Sequence, residues 1–190
     1  MVVLEKDQML SLAENAVKYA VKKGAAEAEA YVYEGQATNV GIEQGQITKT
    51  NTIIDRGLGV RTTVNKAMGF AYTNIIDGQK AIEDTITGAL SAARASKPDQ
   101  DWKGLPEKKS YVAAEKVYDP RIVELRSEGL VDVASSMLDA AVSVDKRIFP
   151  IEGGAGVAYL SSAVANSNGV QGFDRGTIME CSLAAVAKEK

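Results

Sequence analysis

The sequence predicts an α+β fold in which helices pack on antiparallel sheets. Two periodicities carry that prediction: stretches with apolar residues every third or fourth position are followed by stretches apolar at every second position. A third observation is the order of parts. A helix pattern, hairpin-like strands, the tripeptide Asp-Arg-Gly and a further strand occur twice, so two similar helix-plus-hairpin halves are expected, at 1–97 and 111–190, joined by a loop at 98–110.

From Asp7 to Lys23, Leu10, Ala13, Val17, Ala20 and Val21 draw one stripe along a helix. Asp7 is the expected N-cap, Lys22 and Lys23 suit the negative end of the helix dipole, and Gly24 suits the C′ position. AEAEAYVYEG then shifts to period two, with Ala28, Ala30 and Val32 on one side and Glu27, Glu29, Tyr31 and Tyr33 on the other, a strand with one wet face. ATNVGIEQGQITKT continues it as a hairpin turning near Gln44-Gly45. LGVRTTVNKAMGFAYTN reads as two strands around Asn65-Lys66, in which Leu58, Val60, Thr62 and Val64 share one face and Gly57, Gly59, Arg61 and Thr63 the other.

DGQKAIEDTITGALSAARASKP is the second helix, turning Ile82, Ile86, Ala89, Leu90 and Ala93 inward and stopped by Pro98. PDQDWKGLPEKKS is polar and turn-rich and reads as a linker or long surface loop. RSEGLVDVASSMLDAAVSVDKR is the third helix, with Ser127 as N-cap and Leu130, Ala134, Met137, Leu138 and Ala141 as its stripe. The strand pattern GVAYLSSAVA, a turn at Asn166, Asn168 and Gly169, and the strand TIMECSLAAVA complete the chain.

The repeated tripeptide, Asp55-Arg56-Gly57 and Asp174-Arg175-Gly176, is expected to mark strand-to-strand turns, because Asp bonds the backbone two residues on and Gly tolerates positive φ. The repetition is imperfect: Gly45 stands farther ahead of Asp55 than Gly169 does of Asp174.

Composition excludes several chemistries. A net charge of −3 with Lys and Arg spread along the chain offers no basic stripe, so direct nucleic-acid binding is not expected. MVVLEKDQML is too short in apolar residues for a secretory leader or a membrane span, and a single cysteine suits a reducing compartment, so the cytoplasm is the expected location. The chain has no histidine, which removes His-ligated zinc and Ser-His-Asp or Cys-His nucleophile systems from this chain alone.

No catalytic or metal-ligating residue is assigned. Cys181 alternates with Met179, Leu183 and Ala185 and is expected to point into the core as an inert thiol. Gly153, Gly154 and Gly156 lack the Lys-Ser/Thr of a phosphate loop and fit a bend or a close backbone approach. Asp99 and Asp101 fit a solvated loop. Gly57 and Gly59 leave a strand face bare beside Arg61, which suits either a helix packed on that face or a groove for peptide or partner. Glu43, Asp55 and Asp174 are the scattered carboxylates available to a metal-free hydrolase, the weakest of the readings.

Taken together, AEAEAYVYE, VGIEQGQITKT with DRGLGVRTTVNKAMGFAYTN, ALSAARASKPD, DKRIFPIEGGAG and VANSNGVQG resemble the TldD/PmbA family, once described as modulators of DNA gyrase and now regarded as proteolytic assemblies. The last two look more like the PmbA (TldE) branch. The resemblance implies the N-terminal α+β region of a protein more than twice this long. It implies that zinc is held by an HExxxH-type helix of a TldD-like partner and that no cofactor belongs to this chain. It further implies a hetero- or homo-oligomer in which this chain grips or encloses unfolded peptide beside that catalytic subunit. A free-standing binding or assembly module without a proteolytic role is the alternative.

Overall fold

A computed structural model describes residues 4–110, 112 and 114–188. Helix α1 (Lys6–Lys22) begins one residue before the expected start, and its N-cap is Glu5 rather than Asp7. The Glu5 amide donates to Gln8 Oε1 at 2.9 Å, a reciprocal contact that Asp7 has no partner to make. Gly24 follows the helix with φ +102°, the left-handed conformation that glycine supplies without cost. The buried stripe is Met9, Ala13, Ala16, Val17 and Ala20. It is rotated from the expected one, so Leu10 packs only at the margin and Val21 is exposed.

Strands β1 (Glu27–Glu43) and β2 (Gln46–Val64) form a hairpin through Gln44 and Gly45, both at positive φ. β3 (Ala67–Thr73) folds back through Asn65 and Lys66, whose φ values of 50° and 66° are those of a turn that matches strand twist. β2 runs without interruption through Asp55-Arg56-Gly57, and the turn expected there is overturned. The Asp55 carboxylate bonds the Tyr33 hydroxyl instead of nearby backbone.

Helix α2 (Gln79–Ala95) buries Ile82, Ile86, Ala89, Leu90 and Ala93 together with Thr85. A short helix absent from the sequence reading, α3 (Pro120–Glu124), is capped by the Asp119 carboxylate, which accepts from the Arg121 amide. α4 (Ser127–Val144) has Arg126 at the N-cap, so Ser127 already lies inside the helix. β4 (Ile148–Asn166) and β5 (Gln171–Ala187) are joined by Ser167–Val170. β5 contains Asp174-Arg175-Gly176, and the second turn expectation fails in the same way as the first: the Asp174 carboxylate accepts from the Arg175 amide within a continuous strand. The five strands form one antiparallel sheet in the order β3-β2-β1-β4-β5.

The chain forms two compact units. The first takes the segment ending at Glu34 with Asp55–Ala114 and Ser161–Arg175; the second takes Gly35–Ile54, Glu115–Leu160 and the segment from Gly176 onward. In the first, α1 and α2 cover one sheet face and bury Ala28, Ala30, Val32, Leu58, Val60, Ala163 and Ala165. The many alanines let helix and sheet backbones come close. At Gly69 in β3 an added Cβ would fall on the Ala89 carbonyl oxygen and the Ala93 nitrogen of α2. In the second unit, α4 sets Leu130 and Ala134 against Val40, Ile42, Ala155 and Val157. Met137 and Leu138 pack at the rim, and Ala141 is half-buried.

Candidate interaction faces

The sheet face of the first unit that points away from its helices is built by alternation. Ala28, Ala30 and Val32 face the helices, so Glu27, Glu29, Tyr31 and Tyr33 face the other way. Register pairs Arg61 with Phe70 and Gly59 with Tyr72, which puts β3 aromatics on that same outer face. Tyr31 stacks on Tyr33 with ring centroids 6.2 Å apart, and Phe70 on Tyr72 at 6.4 Å.

These rings answer why Gly57 and Gly59 are glycine. A Cβ on Gly57 would sit 2.8 Å from the Tyr33 ring, and one on Gly59 3.2 Å from the Phe70 ring. Aromatic rings from the neighbouring strands lie against the two glycines. Arg61 Nη2 donates to Glu29 Oε1 at 2.7 Å, while the buried Arg61 Nε has no hydrogen-bond partner. Arg56 pairs with Asp77 at 3.1 Å. The Tyr33 hydroxyl reaches both Asp55 oxygens at 3.2 and 3.3 Å, and burial together with that carboxylate pushes its phenol above the ordinary value.

Residues 98–110 contain no helix or strand, yet part of this loop is fastened to the first unit. Glu27 accepts from Trp102 Nε1 at 2.8 Å and from the Leu105 amide at 2.9 Å. Asn166 Nδ2 donates to the Pro106 carbonyl and Asn168 Nδ2 to the Leu105 carbonyl, each at 2.8 Å. Asn166 Oδ1 also takes the amides of Asn168 and Val170, and Gly169 sits at φ +83°. Burial would raise the Glu27 carboxyl, but bonds from Leu105, Trp102, Asn168 and Thr63 outweigh it and hold the group below its ordinary value.

The second unit carries a cleft of about 670 Å³ lined by Asn39, Lys49, Asn51, Gly154, Gly156 and Cys181, among others. A Cβ on Gly154 would clash with the Val40 carbonyl, a close backbone approach within the sheet, whereas one on Gly156 would meet mainly the end of the Asn39 side chain. Cys181 is exposed, not buried. Alternation groups it with Met179 and Leu183, but β5 is the outermost strand, and only Leu183 of the three reaches the core.

Asp55 and Asp174 belong to the first unit and Glu43 to the second. Among the described residues no group of three or more Cys, Asp or Glu side chains could hold a metal, and the chain has no His. Among the described residues no helix is long and apolar enough to cross a membrane.

The sequence reading missed the aromatic face, although its signal was present. Tyr31, Tyr33, Phe70 and Tyr72 occupy the wet positions of period-two strands, where small polar residues are the usual choice.

Two family models match. The first domain of the PmbA/TldA metallopeptidases matches residues 28–93, and their central domain matches residues 107–190. No curated protein matches the chain by sequence. Among solved structures the chain is similar to TldE from Thermococcus kodakarensis, with 24% identity and a TM-score of 0.86 over 94% of this chain and 40% of that one. It is also similar to two proteins named for modulation of DNA gyrase. The one from Bacteroides thetaiotaomicron VPI-5482 shows 21% identity and a TM-score of 0.80 over 94% and 41% of the two chains. The one from Thermotoga maritima MSB8 shows 15% identity and a TM-score of 0.77 over 94% and 40%. At these identities the likeness shows a shared fold, and the chain spans about two fifths of the length of those structures. With the first and central domain models matched in order along its length, the chain belongs to the PmbA/TldD family.

Proposed function

We propose that this chain is a non-catalytic part of a TldD/PmbA-type peptidase assembly, of the PmbA (TldE) kind, which grips or encloses unfolded peptide beside a zinc-bearing TldD-like subunit. One observation supports the reading: the first and central domain models of the family match in order along the chain. Zinc of the HExxxH type needs two imidazoles and a carboxylate on one helix. The residues of this chain do not fit that donor set, so no hydrolytic step is assigned to it. Its part is to bind and position, through backbone hydrogen bonds at a sheet margin and through the outer face around Gly57, Gly59 and Arg61. The single cysteine suits work in the reducing cytoplasm.

The test is to mix the purified chain with a TldD-like protein from the same source. Co-elution in gel filtration and faster cleavage of an unfolded peptide by the mixture are expected. Separate elution with unchanged cleavage overturns the assignment and favours a free-standing binding module.

A further inference from the structure

We propose that the outer face of the first unit, around Tyr31, Phe70 and Tyr72, docks an extended segment of another polypeptide that bears arginine or lysine side chains. Large aromatic side chains are normally withdrawn from water; here Tyr31 is 45% exposed, Phe70 61% and Tyr72 77%. Their exposure is built in by register, because Phe70 and Tyr72 lie opposite Arg61 and Gly59 and share their face. With Gly57 and Gly59 beneath them, rings from both neighbouring strands lie over β2.

Charge selects the occupant. The two arginines of this region are already engaged, Arg61 with Glu29 and Arg56 with Asp77. Asp55 accepts only from the Tyr33 hydroxyl, and among the described residues it pairs with no cation. The face therefore offers aromatic π-clouds beside one unneutralised carboxylate, and both attract a cation and repel an anion. The Tyr33 hydroxyl, bonded to Asp55, ties that carboxylate to the ring cluster, and a guanidinium suits both surfaces where a neutral or acidic side chain does not. A second copy of the chain would bring the same surplus carboxylate against itself, and an anionic membrane surface would be repelled by that carboxylate.

An extended form is favoured because β3 is the outermost strand on this side of the sheet, and a strand paired along it sets alternate side chains beside Phe70 and Tyr72 on the same face. The inference rests on the peptide-binding role given to this face above and names the class of side chain it takes; its test leaves the TldD-like subunit out, so failure here leaves the assembly assignment standing.

The probes are a short fluorescent peptide alternating arginine with threonine and the same peptide with glutamate in place of arginine. Anisotropy of the 190-residue chain with each should show binding of the basic peptide alone, weakening as salt is raised. Tyr72→Ser is expected to weaken binding about tenfold and Asp55→Asn several-fold. Both positions are exposed, so cooperative unfolding should be unchanged and is measured alongside. Equal binding of the two peptides, binding of neither, or affinity unmoved by both substitutions overturns the proposal. So does a homodimer in sedimentation equilibrium that Tyr72→Ser abolishes, since a second copy would then be the occupant.

Discussion

Both compact units draw on strands β1, β2, β4 and β5, but they use them differently. Among the described residues the first unit's core has eighteen buried residues, all but Ala25 and Ile76 from two long helices and the sheet; the second unit's core has six. The difference does not come from polarity in α4. α4 carries Val131, Val133, Val142 and Val144, yet buries only Leu130 and Ala134, and Val144 is 77% exposed. What separates the units is how closely helix and sheet backbones approach. Alanine and Gly69 let α2 settle onto β3, whereas α4 meets its strands through larger side chains at a partly wet rim. Apolar content supplies the drive for burial, and small residues decide how much of it is realised. The second unit should therefore open locally at lower free energy than the first.

The largest expected break in that contrast is Gly69→Ala. The new methyl would meet helix backbone at Ala89 and Ala93, which cannot rotate away, so a loss of about 3 kcal/mol or more is expected in urea unfolding. Gly156→Ala in the second unit meets mainly the end of the Asn39 side chain, and a loss below about 1 kcal/mol is expected. Similar losses at the two sites would show that the α2–β3 seam is not the rigid one.

A medium effect is expected at Glu27. Its folded carboxyl lies below the ordinary value of 4.5, so its contribution is fully present above that value and is lost as pH falls through the folded value. Glu27→Gln should cost about 1–2 kcal/mol near neutral pH and remove this part of the acid dependence. Trp102 is the sole tryptophan and bonds that carboxylate, so its emission should change as the wild-type chain is acidified before global unfolding. Emission that stays constant until the whole chain unfolds would rule out a carboxylate latch on the loop.

The smallest effect concerns Cys181. As an exposed thiol it should react with a disulfide reagent in the native protein, and Cys181→Ser should change stability by less than about 0.5 kcal/mol. A thiol that reacts only in denaturant would return Cys181 to the core.

Much of the fold was legible because it is written in local periods. The five inward residues of α2, the alternation of Ala28, Ala30 and Val32, and the turns at Gln44-Gly45 and Asn65-Lys66 each follow from spacing or turn chemistry within a few residues. What failed depends on distant partners. Alternation gave Cys181 a side but not whether anything covers that side. Asp-Arg-Gly has turn composition, yet neighbouring strands carry it through the sheet twice. Trp102 looked like part of a linker because the carboxylate that holds it lies 75 residues earlier. The face proposed above was half visible: Gly57, Gly59 and Arg61 are residues of its central strand, but the rings lying over it come from β1 and β3.

The pairing at Thr177 bears on how the protein behaves when concentrated. β5 is a long outermost strand with Ile178 and Met179 exposed, the kind of margin on which aggregates grow. The Thr177 amide donates to the Val117 carbonyl at 2.9 Å, and the Asp119 amide donates to Thr177 Oγ1 at 2.9 Å. That short crossing acts as a stopper: a foreign chain templating itself along the strand must displace it first, and Pro120, lacking an amide hydrogen, cannot extend the ladder on its behalf. Shelf life in concentrated solution should follow how firmly those few residues hold.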